Sequence, residues 1–163
     1  MNSNIKRLYE LSNKSQRRVI GLMSGTSLDG LDVVDCICYG TGINTKIEIL
    51  HFETIAYQED FKNEIKSIFS KRVVDLQKVC LLNSWIAEQQ ATIINDCLKK
   101  WKVDGSSIDL MASHGQTIFH APKHLHGVAK FSNATLQIGD GDHLAVKTGI
   151  ITISDFRQKH IDR

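Results

Sequence analysis

The sequence predicts an α/β fold, a mixed sheet flanked by helices, and three observations carry that prediction. Short runs rich in β-branched residues, separated by turn residues, fill positions 18–57. Apolar residues at helical spacing then take over across 60–101. The strand pattern returns from residue 108 onward, interrupted by a short helical stretch.

Residues 1–17 are polar, with Asn, Ser, Lys and Arg, and read as a mobile or weakly helical leader to a folded unit at 18–163. RVIGLM, from Arg18, is a short apolar run typical of a buried strand. GTSLDG follows, then LDVVDCICY at 31–39, a second strand. The TGIN turn leads to TKIEILHFETIAY at 45–57, a third. Together they form an antiparallel meander. Phe61, Ile65, Ile68 and Phe69 then share one helical face. Val79, Leu82, Ile86, Ile93 and Cys97 make a longer stripe, which Gln89 and Gln90 interrupt, so 73–101 is one long helix or two with a bend.

DGSS at 104–107 ends that helical region. IDLMAS at 108–113 is a short strand running out into HGQT, and a loop with His and Lys covers about 120–133. ATLQI is a strand, GDGDHLAVKTG opens with turn residues and supplies about two helical turns, and IITIS is a closing buried strand. The order is β-β-β-α-(α)-β-β-α-β. The sequence stops at DFRQKHIDR, directly after a strand, which suggests a fragment incomplete at its C-terminus.

At 163 residues the chain is long enough for one well-buried domain and short for two. A formal charge of +2, with no basic stripe, gives no reason to expect nucleic acid. The start has no apolar stretch of signal-peptide length, and no run of about eighteen apolar residues suggests a membrane span. Cys36, Cys38, Cys80 and Cys97 lie in apolar surroundings without a CxxC pair and read as buried free thiols. Cytoplasmic localisation is the expectation.

The densest signal is GLMSGTSLDGLD at 21–32. It lacks the Gly-Lys-Ser/Thr of a Walker A loop, and a strand rather than a Rossmann helix follows it. What remains is a hairpin tip with Gly25 and Gly30, where backbone can approach an anion and turn its N–H groups toward it. Ser24, Thr26 and Ser27 add hydroxyl donors. Asp29 and Asp32 would repel a bare phosphate, so they favour a metal–nucleotide complex with Mg²⁺ between. The structural alternative is a tight hairpin in which Ser, Thr and Asp bond their own backbone.

Ser113-His114-Gly115-Gln116-Thr117 lies where a strand is expected to run out, the position at which open α/β sheets bind ligands. His114 and Gln116 suit a polyhydroxylated ligand such as a sugar. Asp155 and Arg157 follow the last strand in the same manner and suit a hydroxyl and a carboxylate. A satisfied turn histidine and a local ion pair are the plain alternatives. His120, His124 and His126 match no helix-borne zinc spacing, and Asp140 and Asp142 suit helix capping.

GLMSGTSLDGLDVV at 21–34, SHGQTIFH at 113–120, TLQIGDGDHLA at 135–145 and TGIITISDFR at 148–157 together resemble the anhydro-N-acetylmuramic acid kinases. The resemblance implies an RNase H-like lobe of an actin-like two-lobed kinase. It also implies that ATP and water convert 1,6-anhydro-N-acetylmuramic acid to N-acetylmuramic acid 6-phosphate in cell-wall amino-sugar recycling. Gly25, Thr26, Ser27, Leu28, Asp29, Gly30, Leu31 and Asp32 would then form the ATP phosphate site, with Asp29 orienting Mg²⁺ through a water. His114, Gln116, Asp155 and Arg157 would lie toward the sugar.

The resemblance further implies a catalytic aspartate in a DTGPGN-type motif, which falls beyond Arg163, so the chain alone is expected to be inactive. Where the family pattern has an aspartate three residues after DFR, this sequence has His160. Partners implied are a small amino-sugar and, for a full-length protein, a homodimer; no nucleic acid or membrane is expected. Competing readings are another sugar kinase or a phosphatase of the actin-like superfamily, or a non-catalytic nucleotide-binding lobe.

Overall fold

The computed structural model describes residues 3–157. Helix α1 (Ser3–Ser12) precedes the meander of β1 (Gln16–Ser24), β2 (Gly30–Tyr39) and β3 (Lys46–Ala56). Helices α2 (Glu59–Lys66) and α3 (Leu76–Trp101) lead to β4 (Leu110–Ala121). The short α4 (Lys123–His126), β5 (Ala134–Ile138), α5 (Gly141–Thr148) and β6 (Thr152–Ile153) complete the described chain. The sheet runs β3-β2-β1-β4-β5, with β6 on β4. β1 and β6 lie parallel to β4, and the remaining pairs are antiparallel. This is the mixed α/β sheet expected from the sequence.

Helix α3 is continuous through Gln89 and Gln90. Leu82, Ile86, Gln90 and Ile94 fall at intervals of four, so Gln90 occupies a place in the buried row rather than breaking it. Asp75 caps the helix by accepting from the Gln77 N–H at 2.9 Å, and Lys102 ends it in the left-handed region at φ 56°. The buried face of α3 meets Ile20, Leu22, Leu31 and Val33 from the meander, with Met111 and Ile118 of β4. Phe61 and Ile65 of α2 close the same core.

Three local expectations need correction. β4 does not end before SHGQT but continues to Ala121. Gly115, at φ 70°, lets the strand kink there, the register against β1 slips between Leu22 and Ser24, and β5 becomes the new neighbour from Gln116 onward. The closing strand is only two residues long, because β5 and β6 share one edge of β4. Cys80 is exposed on α3 rather than buried. It lies one residue off Val79, which does pack on the core.

Residues in the polar leader form α1, which is tied to the sheet. Arg7 donates to the Ile108 carbonyl at 2.9 Å, Arg17 donates to that of Leu11 at 2.9 Å, and Leu11 is buried. At the opposite edge, β3 exposes Ile47, Ile49 and Phe52. Leu50 bulges between the pairs Asp35–His51 and Cys36–Ile49. Among the described residues, no helix is long and apolar enough to cross a membrane.

A charge cluster closes the end of the sheet away from the β1–β2 turn. Asp35, fully buried, accepts from Arg18 Nε at 2.9 Å and from the second guanidinium nitrogen at 2.7 Å. His51 Nδ1 lies 3.0 Å from the same carboxylate, and its ring stacks on Trp101. Burial alone would raise the Asp35 pKa, but the hydrogen bonds and charges of Arg18 and His51 outweigh it and hold the carboxyl below its ordinary value. A depressed carboxylate contributes stability above its unfolded-state pKa and loses it as pH falls through the folded one.

Asp35→Asn is therefore expected to destabilise the fold by about 3 kcal/mol at pH 7, since Arg18 is left without its ion partner. Urea denaturation at pH 7 and in acid should show that gap narrowing below about pH 4, as the wild-type carboxylate protonates. Gly30→Ala is expected to cost about 2 kcal/mol in the same assay by overpacking. Its Cβ would lie 2.4 Å from the Ile55 carbonyl oxygen on β3.

Candidate nucleotide site

Residues 25–29 form the tip between β1 and β2. Leu28 adopts φ 59°, which costs a residue with a Cβ about 1–2 kcal/mol, yet its side chain is buried in the core. This plug holds the tip down and leaves Thr26, Ser27 and Asp29 exposed. Above Gly25 there is open space, since an added Cβ would meet only Ser27 Oγ, at 3.7 Å. The Tyr57 N–H donates to the Asp29 carbonyl at 3.2 Å, which ties the far side of the tip to the end of β3.

The eight residues expected at the phosphate site thus divide by environment. Thr26, Ser27 and Asp29 offer exposed polar groups beside the open Gly25. Leu28 and Leu31 anchor the hairpin in the core. Asp32 accepts from Thr54 Oγ1 at 2.6 Å across the sheet, away from the tip. Gly30 is held to glycine by the β3 backbone beneath it.

Under the tip lies a buried polar chain. Tyr57 donates its hydroxyl to Ser24 Oγ at 2.9 Å, and Ser24 donates to Gln116 Oε1 at 2.5 Å. Gln116 Nε2 donates to the Gly25 carbonyl at 3.2 Å and to that of Thr117 at 3.1 Å. Gln116 is fully buried, so its amide is committed to the hairpin instead of lying open beside His114. Burial raises the Tyr57 pKa, and the neighbouring Ser24 and Gln90 side chains only partly offset this, so the phenol stays protonated. Gln90 Oε1 is the one buried side-chain polar atom among the described residues without a partner. Such an orphan costs about 1–3 kcal/mol.

Tyr57 was not singled out in the sequence. The one available signal was a tyrosine at the end of the third strand, where a hairpin meander brings strand ends together.

His114 and Arg157 come together from 43 residues apart. An Arg157 guanidinium N–H donates to His114 Nε2 at 2.9 Å, and His114 Nδ1 faces the Gly115 carbonyl at 3.1 Å. A guanidinium cannot accept and a carbonyl cannot donate, so the two contacts fit the tautomer with its proton on Nδ1. Phe156 meets the same ring edge-on. Asp155 is exposed at φ 57° and accepts from Ser154 Oγ at 3.3 Å. His114 and Gln116 flank Gly115 on β4, so the two clusters are neighbours in sequence.

Two of the three histidines at 120–126 are engaged locally. His120 pairs with Thr135 at 2.8 Å, while His126 bridges the Ser132 carbonyl and the Val128 N–H. Asp140 caps α5, accepting from the His143 N–H at 3.0 Å. Among the described residues no group of three or more His, Cys, Asp or Glu could hold a metal ion. A cation at the tip would have to be shared with a ligand, and Asp29 is the exposed carboxylate there. His160 lies outside the described residues.

Comparison with known proteins shows the family of the chain. A relative from Pseudoalteromonas atlantica named anhydro-N-acetylmuramic acid kinase is 56% identical over 161 residues, covering 99% of this chain and 40% of the relative. One of the same name from Pseudoalteromonas translucida is 50% identical with the same coverage. A third, from Caldanaerobacter subterraneus, is 38% identical over 155 residues, or 95% of this chain and 39% of the relative. The chain thus spans about two fifths of the length of the curated relatives it matches. A family model described as anhydro-N-acetylmuramic acid kinase matches residues 17–162, and the chain belongs to that family.

Proposed function

We propose that this chain supplies the phosphate-binding hairpin and part of the sugar-facing wall of an ATP-dependent kinase. That kinase converts 1,6-anhydro-N-acetylmuramic acid and water to N-acetylmuramic acid 6-phosphate. The observation that carries the reading is the tip at 25–29, where exposed Thr26, Ser27 and Asp29 sit on backbone fixed by Leu28 and Gln116.

Phosphoryl transfer needs little covalent help from a protein and much positioning and charge neutralisation. Mg²⁺-ATP would supply the phosphoryl group and screen its oxygens. The open side of Gly25 admits phosphate against the backbone, Thr26 and Ser27 donate hydroxyls, and Asp29 would hold a metal-bound water. His114, locked by Gly115, orients Arg157, whose remaining N–H donors and the nearby Asp155 would face the sugar. No residue of this chain is assigned as the base that activates water. Four unpaired cysteine thiols support a reducing compartment such as the cytoplasm.

The direct test is a chimaera in which this chain replaces the matched segment of the Pseudoalteromonas atlantica relative. It should phosphorylate the anhydro-sugar. Gly25→Val in that chimaera should weaken Mg²⁺-ATP binding at least tenfold, by filling the space above the tip. Asp29→Ala should lower kcat by about 100-fold, the scale of losing one electrostatic contact to the transferring group. Unchanged nucleotide affinity and turnover in both variants would refute the assignment.

A further inference from the structure

We infer that Tyr57 is a positioning residue for phosphate binding, acting through Ser24 and Gln116 to aim the Thr26 N–H outward from the hairpin tip. The inference rests on the nucleotide reading of that tip and extends it to residues that no phosphate would touch.

The chain of donors has one direction. Tyr57 donates to Ser24, Ser24 donates to Gln116 Oε1, and this fixes which end of the Gln116 amide faces the tip. Its Nε2 is then turned to the Gly25 carbonyl. The 25–26 peptide is trans, as are all the described peptide bonds, so its N–H points opposite to its carbonyl. Drawing the Gly25 oxygen inward therefore sends the Thr26 N–H toward the open side, where Thr26 and Ser27 are exposed. A flipped Gln116 amide would set an oxygen against the Gly25 oxygen and release the peptide plane.

A second observation comes from α3. The buried Gln90 amide lies beside the Tyr57 phenol, and its carbonyl oxygen is left buried without a partner. A leucine in that row would match Leu82, Ile86 and Ile94 and leave nothing unsatisfied. The phenol itself is aligned by stacking on Phe61 with ring centroids 4.0 Å apart. Tyr57, Ser24 and Gln116 are all nearly or fully buried, so water does not compete for these bonds.

Tyr57→Phe keeps the ring and removes only the donor. In the chimaera described above, amide hydrogen exchange at Thr26 should accelerate about tenfold on losing one buried hydrogen bond, and Mg²⁺-ATP affinity followed by NMR titration should fall by a similar factor. Ser24→Ala should match it, and the double variant should be no worse than either, because one relay is cut once. Ile65→Val, which loosens the core in α2 without touching the relay, should lower stability yet leave tip exchange and affinity unchanged. Wild-type exchange and affinity in Tyr57→Phe, or equal losses in Ile65→Val, would overturn the inference. Absence of Mg²⁺-ATP binding by the unmodified chimaera would instead overturn the nucleotide reading itself.

Discussion

The parallel pairing of β1 with β4, and the slip in its register at Gly115, is the constraint on which the rest of the molecule depends. Regular pairing would place Ser24 opposite Gly115, whose hydrogen could offer it nothing. The slip sets Ser24 opposite Gln116 instead. A polar side chain long enough to cross to the hairpin thereby reaches both Ser24 and Gly25. The same kink leaves His114 half-exposed at the edge of the site, within reach of Arg157. One glycine in the left-handed region thus serves two neighbouring clusters.

The fold was legible in the sequence to the extent that apolar period and turn chemistry carry it. The meander was, because runs such as LDVVDCICY are too β-branched and too short to be read otherwise. The continuity of α3 was not, since a glutamine in the buried row looks like an interruption until its burial in the tertiary structure is known. β4 was cut short for a related reason. Polar Ser, His and Gln beside glycine read as a turn, whereas neighbouring strands on both edges keep the backbone extended.

For the candidate site, residue types pointed to the right segments but not to the division of labour within them. The tip composition suggested a cradle, and the structure exposes Thr26, Ser27 and Asp29 there. Whether Gly30 is glycine for a ligand or for a neighbouring strand cannot be read from spacing, and the Ile55 carbonyl answers it. Nor can sequence separate His114 from Gln116, two residues apart, when one meets Arg157 and the other is wholly engaged beneath the hairpin.

Strand β3 carries a consequence for how the molecule behaves in crowded solution. Among the described residues its outer margin is unpaired and bears Ile47, Ile49 and Phe52, the makings of an adhesive ribbon onto which a stranger's backbone could zip. Lys46, Glu48, His51 and Glu53 alternate with those side chains, and the bulge at Leu50 throws the ladder out of step halfway along. A foreign strand would run out of matching partners after a few residues. The margin is thereby kept from templating fibres, without sacrificing the width of the sheet that supports the hairpin.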